Sequence, residues 1–108
     1  PDPACNPYLA FAVILAAGLR GIERNYKLGA PVEDNVFEMD LAMQRRHGIV
    51  SLPGSLLEAV ELAERSDLVR EALGDHVFEK FIANKKIEWD QYRIQVTRYE
   101  QDRYLPIL

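Results

Sequence analysis

Cysteine is nearly missing from this chain. Cys5 stands alone among 108 residues, so no internal disulfide framework can hold the fold, and a reducing cytoplasm suits it. Histidine is scarce too, with only His47 and His76. They lie far apart in sequence, and the carboxylates near them do not have the spacing of a metal motif. There is no Gly-x-Gly-x-x-Gly and no phosphate loop. An excess of positive charge is also lacking. The net charge is −4, so the chain as a whole does not attract nucleic acid or acidic lipid. The one long uncharged apolar run, Tyr8 to Leu19, is too short to cross a bilayer and is closed by Arg20, Glu23 and Arg24. A charged leader, a cleavage site and an initiator methionine are all lacking, and the expectation is a processed product or an excised domain. Repeats, low-complexity tracts and alternating strand patterns are absent as well.

What is present reads as helix. Hydrophobic residues make up 48% and charged residues 28%, ordinary values for a folded domain. Asn6 before Pro7 is a helix start: Asn caps free N–H groups, and Pro suits the first helical position. The helix that follows is apolar nearly all round, so it is expected to be a buried core helix. Such a helix needs partners on more than one face, which is hard to supply within so short a chain. Asn25 to Val36 is a loop, with Gly29, Pro31 and Asn35 as its signals. Val36 to Met43 reads as a short helix, with Gly48 beyond as a stop. Ser55 and Glu58 form a capping box opening a helix to Glu64 whose inner face is Leu56, Ala59, Val60 and Ala63. Ser66 restarts a short helix that Gly74 ends. Asp75 is expected to cap the longest helix, His76 to Gln95, with Val77, Phe78, Phe81, Ile82, Trp89 and Tyr92 as its apolar positions. Thr97 and Glu100 form a further capping box for a last short helix. The fold class is all-α, about five helices, read as one helical domain over residues 1–108.

A catalytic constellation does not emerge. Cys5 sits near a helix N-terminus, which can lower a thiol pKa, but without a visible base it reads as a small residue at a packed bend. Glu33, Asp34, Glu38 and Asp40 lack the glycine and spacing of a calcium loop and read as a solvated face. Lys80, Lys85 and Lys86 are offset by Glu79, Glu88 and Asp90, a mixed-charge surface rather than a nucleic-acid stripe. The apolar ending is less ordinary. Tyr104, Leu105, Ile107 and Leu108 lie at a terminus that is normally frayed and wet. Either they dock into another subunit or they fold back on their own domain.

Several segments resemble one family. Pro1-Asp2-Pro3-Ala4-Cys5-Asn6-Pro7-Tyr8-Leu9-Ala10-Phe11-Ala12 resembles the P-D-P-x-x-N-P-Y-L-A-F-A segment of type I glutamine synthetases. Ala17-Gly18-Leu19-Arg20-Gly21-Ile22, Leu52-Pro53-Gly54-Ser55-Leu56, Leu73-Gly74-Asp75-His76 and Glu88-Trp89-Asp90-Gln91-Tyr92-Arg93 continue the likeness over essentially the whole chain. The resemblance implies the C-terminal segment of an α+β catalytic domain. The parent enzyme makes glutamine from glutamate, ammonia and ATP with Mg2+ or Mn2+, in a homododecamer of two stacked hexameric rings. In that family an E-x-R motif of the site comes immediately before P-D-P, and the metal and nucleotide residues lie further upstream. The segment alone is therefore expected to be inactive, with no catalytic, metal or cofactor-binding residue of its own.

The resemblance also implies regulatory positions. Some members are adenylylated on a tyrosine in N-L-Y-D-L-P. Here the matching stretch is Asn35-Val36-Phe37-Glu38-Met39-Asp40, and Phe37 has no hydroxyl to modify. That departure implies the non-adenylylated, feedback-regulated branch. There the glutamate of E-W-D helps hold the glutamine-inhibited state, which by position is Glu88; a solvated surface glutamate is the other reading. The family's C-terminal tail inserts into the opposite ring, which implies residues 97–108 as an oligomerisation tail, with Tyr99, Tyr104, Leu105, Ile107 and Leu108 in the contact. Two other readings stand beside the scaffold. One is a stand-alone helical docking module for a nitrogen-regulatory protein. The other, an independent small enzyme, has no constellation behind it. Nucleic acid and membrane are not expected partners, and the expected location is cytoplasmic.

Overall fold

The structure, a computed structural model, describes residues 2–107. All regular structure among them is helical: six α-helices and two single 3-10 turns, with no strand. The all-α reading holds. The chain packs as two compact units, Pro1–Gly54 and Ser55–Leu108.

In the first unit α1 runs Pro7–Glu23. The Asn6 side chain accepts from the N–H groups of Tyr8 and Leu9 at 3.0 and 3.3 Å, and Pro7 starts the helix, as the sequence predicts. Its burial does not follow the prediction. No residue of α1 is buried; Tyr8 is 83% and Phe11 70% exposed. The rest of this unit is loop, one 3-10 turn and one short helix, too little apolar surface to cover a helix that is apolar on every side. A second correction concerns Val36–Met43. Val36–Glu38 is a 3-10 turn capped by the Asn35 side chain. Met39 is then extended, and α2 runs Leu41–Arg46 with Asp40 as its cap, accepting from the Met43 N–H at 2.7 Å. Two side-chain caps five residues apart break the segment in two, because each favours a fresh helix start over continuation. Gly48 adopts φ +68° just past α2, the left-handed conformation that a helix stop of this kind requires.

The second unit holds the core. α3 spans Leu56–Glu64, α4 Asp67–Leu73 and α5 Asp75–Arg93. Val60 of α3 packs with Phe78 and Ile82 of α5, and Leu56, Ala63, Val69, Leu73 and Phe81 close around them. The spacing explains the seam: 78 and 82, like 56 and 60, are one turn apart on a single helix face. Ala59, expected on the inner face of α3, is exposed. Ser55 and Ser66 cap α3 and α4, each side-chain oxygen accepting a backbone N–H three residues on at 3.3 Å. Asp75 does not cap α5. Gly74 occupies that position with φ +74° and has no side chain to offer. Asp75 is the first helical residue, and its carboxylate accepts from the Arg70 guanidinium at 2.9 Å. One glycine thus ends α4 and begins α5, a connection open to a residue that tolerates positive φ. α5 ends at Arg93, two residues before the predicted end, with Ile94 as its C-terminal cap, and α6 follows at Arg98–Tyr104, running into a 3-10 turn at Leu105–Ile107.

Candidate functional site

The sequence-predicted residues fall on three stretches of the chain. Phe37 sits on the 3-10 turn, almost fully exposed at 99%, with its backbone N–H bonded to the Asn35 side chain at 3.2 Å. Glu88 lies on α5, exposed, and accepts a hydrogen bond from Lys85 one turn earlier. Tyr99, Tyr104, Leu105 and Ile107 belong to α6 and the turn after it. All four are exposed, between 52% and 76%, so the tail does not fold back over its own unit. Leu108 lies outside the described residues.

Among the described residues, the tail offers a surface with recognisable shape. The last turn of α5 and α6 enclose an open hollow lined by Tyr92, Arg93, Thr97, Tyr99, Glu100 and Tyr104. Beside it Val96, Gln101, Tyr104 and Leu105 line a second, largely apolar hollow. Aromatic rings with a polar tip suit a surface that is wet when free and covered when docked. Local bonds order it. The Thr97 N–H and hydroxyl both donate to Glu100 Oε2 at 2.7 Å, and the Glu100 N–H donates back to Thr97 Oγ1 at 3.3 Å. These bonds hold the Glu100 carboxyl below its ordinary pKa, the Thr97 backbone contributing most and its hydroxyl next. Arg98 pairs with Asp102 at 3.0 Å across one turn.

Arg70 is a feature that sequence reasoning missed. Its guanidinium lies 4.2 Å from the centroid of the Phe78 ring and reaches Asp75 at 2.9 Å and Glu79 at 3.8 Å. The signal was faint: an arginine five residues before an aspartate across a glycine. Cys5 and both histidines are exposed. Among the described residues no group of three His, Cys, Asp or Glu side chains is placed to hold a metal ion, and no helix is long and apolar enough to cross a membrane.

The profile of the glutamine synthetase catalytic domain matches residues 1–104. This chain belongs to the glutamine synthetase family. A glutamine synthetase of Mycolicibacterium smegmatis is 54% identical over 107 residues, which is 99% of this chain and 24% of that protein. That of Thermus thermophilus is 49% identical over 105 residues, 97% of this chain and 24% of its own length. One from Methanococcus maripaludis is 49% identical over 107 residues. The chain thus spans about a quarter of the length of the curated relatives it matches.

Proposed function

We propose that this chain works as the C-terminal scaffold and subunit-contact portion of a glutamine synthetase that joins ammonia to glutamate at the expense of ATP. The observation that carries the reading is exposure of the wrong kind. Tyr8, Phe11, Leu15 and Ile22 of α1, and Tyr99, Leu105 and Ile107 of the tail, are large apolar side chains left at least 65% open to solvent. Soluble surfaces do not keep apolar area of that extent without a use for it. In this reading the remaining three-quarters of a glutamine synthetase covers α1, and a neighbouring subunit of a dodecamer receives the tail.

The chemistry belongs to other parts of that enzyme. The resemblance implies ATP and Mg2+ or Mn2+ for the whole enzyme, and no reaction step is assigned to the residues of this chain. This chain contributes position: its helices support the site, and its tail joins rings. Phe37 marks an enzyme without adenylylation at that turn, and Glu88 supplies the feedback contact.

Removing Leu105–Leu108 from the full-length enzyme tests the assembly role. The expected result by light scattering is separation of dodecamers into single rings, with glutamine formation by each ring less affected. Dodecamers of unchanged mass and dilution behaviour would overturn it.

A further inference from the structure

α6 has seven residues, Arg98–Tyr104, and buries none of them. A helix that short is unstable in water on its own, and tertiary packing, the usual source of helix stability, is not available to it here. What it does have is concentrated at its start. The capping box is complete in both directions, with three hydrogen bonds between Thr97 and Glu100, and the Arg98–Asp102 pair staples the first turn. None of the other α-helices carries a reciprocal box. The strongest local start signal therefore belongs to the helix with the least packing.

We propose that the Thr97–Glu100 box is a conformational device that forms the tail helix before it docks. Thr97 and Glu100 are positioning residues in this scheme: they touch no partner, and they set the face on which Tyr99, Tyr104 and Leu105 are presented. Preforming the helix removes ordering entropy from the docking step and so raises affinity without adding a contact. The proposal rests on the reading of the tail as a subunit contact.

The test has two stages that separate those ideas. In the 108-residue chain, carbon chemical shifts report the helicity of residues 98–104 for the parent, Thr97→Ala and Thr97→Ser. Thr97→Ala is expected to lower the folded-to-frayed ratio of α6 by roughly three- to tenfold, as loss of an N-cap does elsewhere, with Thr97→Ser recovering most of it. Shifts of Val60, Phe78 and Ile82 should not move. An α6 equally helical in Thr97→Ala, or unformed in the parent, overturns the proposal. In the full-length enzyme, Thr97→Ala is expected to weaken ring association by a similar factor, and Thr97→Ser to restore it. Association unchanged by a melted α6 also overturns it. Failure of the underlying reading shows differently, as full association after Leu105–Leu108 are removed.

Discussion

Arg70 shows how one side chain can hold two helices in register. It leaves α4, lies across Phe78 and meets the carboxylates of Asp75 and Glu79, all on α5. The arrangement compensates for a connection in which Gly74 can offer no capping side chain. The guanidinium is partly exposed, so its ion pairs are screened and worth little each; the ring contact adds on the order of 0.5–1 kcal/mol. Arg70→Ala is expected to destabilise the Ser55–Leu108 unit by about 1–2 kcal/mol in urea titrations. Arg70→Lys should recover only part, since an ammonium keeps the charge but lacks the flat face. An unmoved midpoint in Arg70→Ala would remove Arg70 from the account. Glu88 carries a different prediction. Its carboxylate is at the surface and held by Lys85 of its own helix, so replacing it disturbs no core packing. In the full-length enzyme Glu88→Ala is expected to relieve inhibition by glutamine several-fold while kcat stays close to the parent's; inhibition of unchanged strength would leave Glu88 a surface glutamate.

Among the elements, α6 carries a carboxyl whose ionisation is tied to its helix start. The bonds from Thr97 favour ionised Glu100, so its carboxyl titrates lower in the folded tail than in an unfolded one. A depressed carboxyl pKa adds stability that is complete above the unfolded value and is lost as pH falls through the folded one. Helicity of residues 98–104 should therefore be flat from neutrality down to the ordinary glutamate range and decline only below it. Arg93 and Tyr92 of α5 line the same hollow, and Asp102 is ion-paired with Arg98 within α6, so Glu100→Gln isolates the contribution of Glu100: it should remove most of the acid transition. A decline of equal size in Glu100→Gln would show that Glu100 is not its source.

The element scale is also where the sequence was most legible. The helix starts at Asn6, Ser55, Ser66 and Thr97 are legible because each is a local bond between a side chain and a backbone group a few residues on, although at Ser55 only the serine half of the expected capping box forms. Asp40 and Asp75 were missed for the opposite reasons. Asp40 lies inside a run that looks continuous but starts a new helix; Asp75 has the residue type of a cap, yet its carboxylate pairs with Arg70, five residues earlier in the middle of α4. The inner faces of α3 and α5 followed from their periodicity. The site was less legible, because periodicity says that α1 and the tail are apolar but not what lies against them.

At the scale of the whole molecule the two ends differ from the middle. Val60, Phe78 and Ile82 form a closed core, whereas α1 and the tail keep their apolar side chains in solvent. Burying a single Leu or Phe side chain stabilises by roughly 1.5–3 kcal/mol, so covering either surface is a large gain for whatever provides the cover. The account is therefore that this chain carries contact surfaces whose complements lie in the rest of a glutamine synthetase and in its neighbours. The most direct test is the solution mass of the 108-residue chain, by light scattering over a dilution series. Reversible association that weakens on dilution, and is reduced when Phe11 and Leu15 are replaced by polar residues, is the predicted result. A monomer at every concentration that binds no apolar dye would contradict it, since it would mean that α1 and the tail are already covered within the chain.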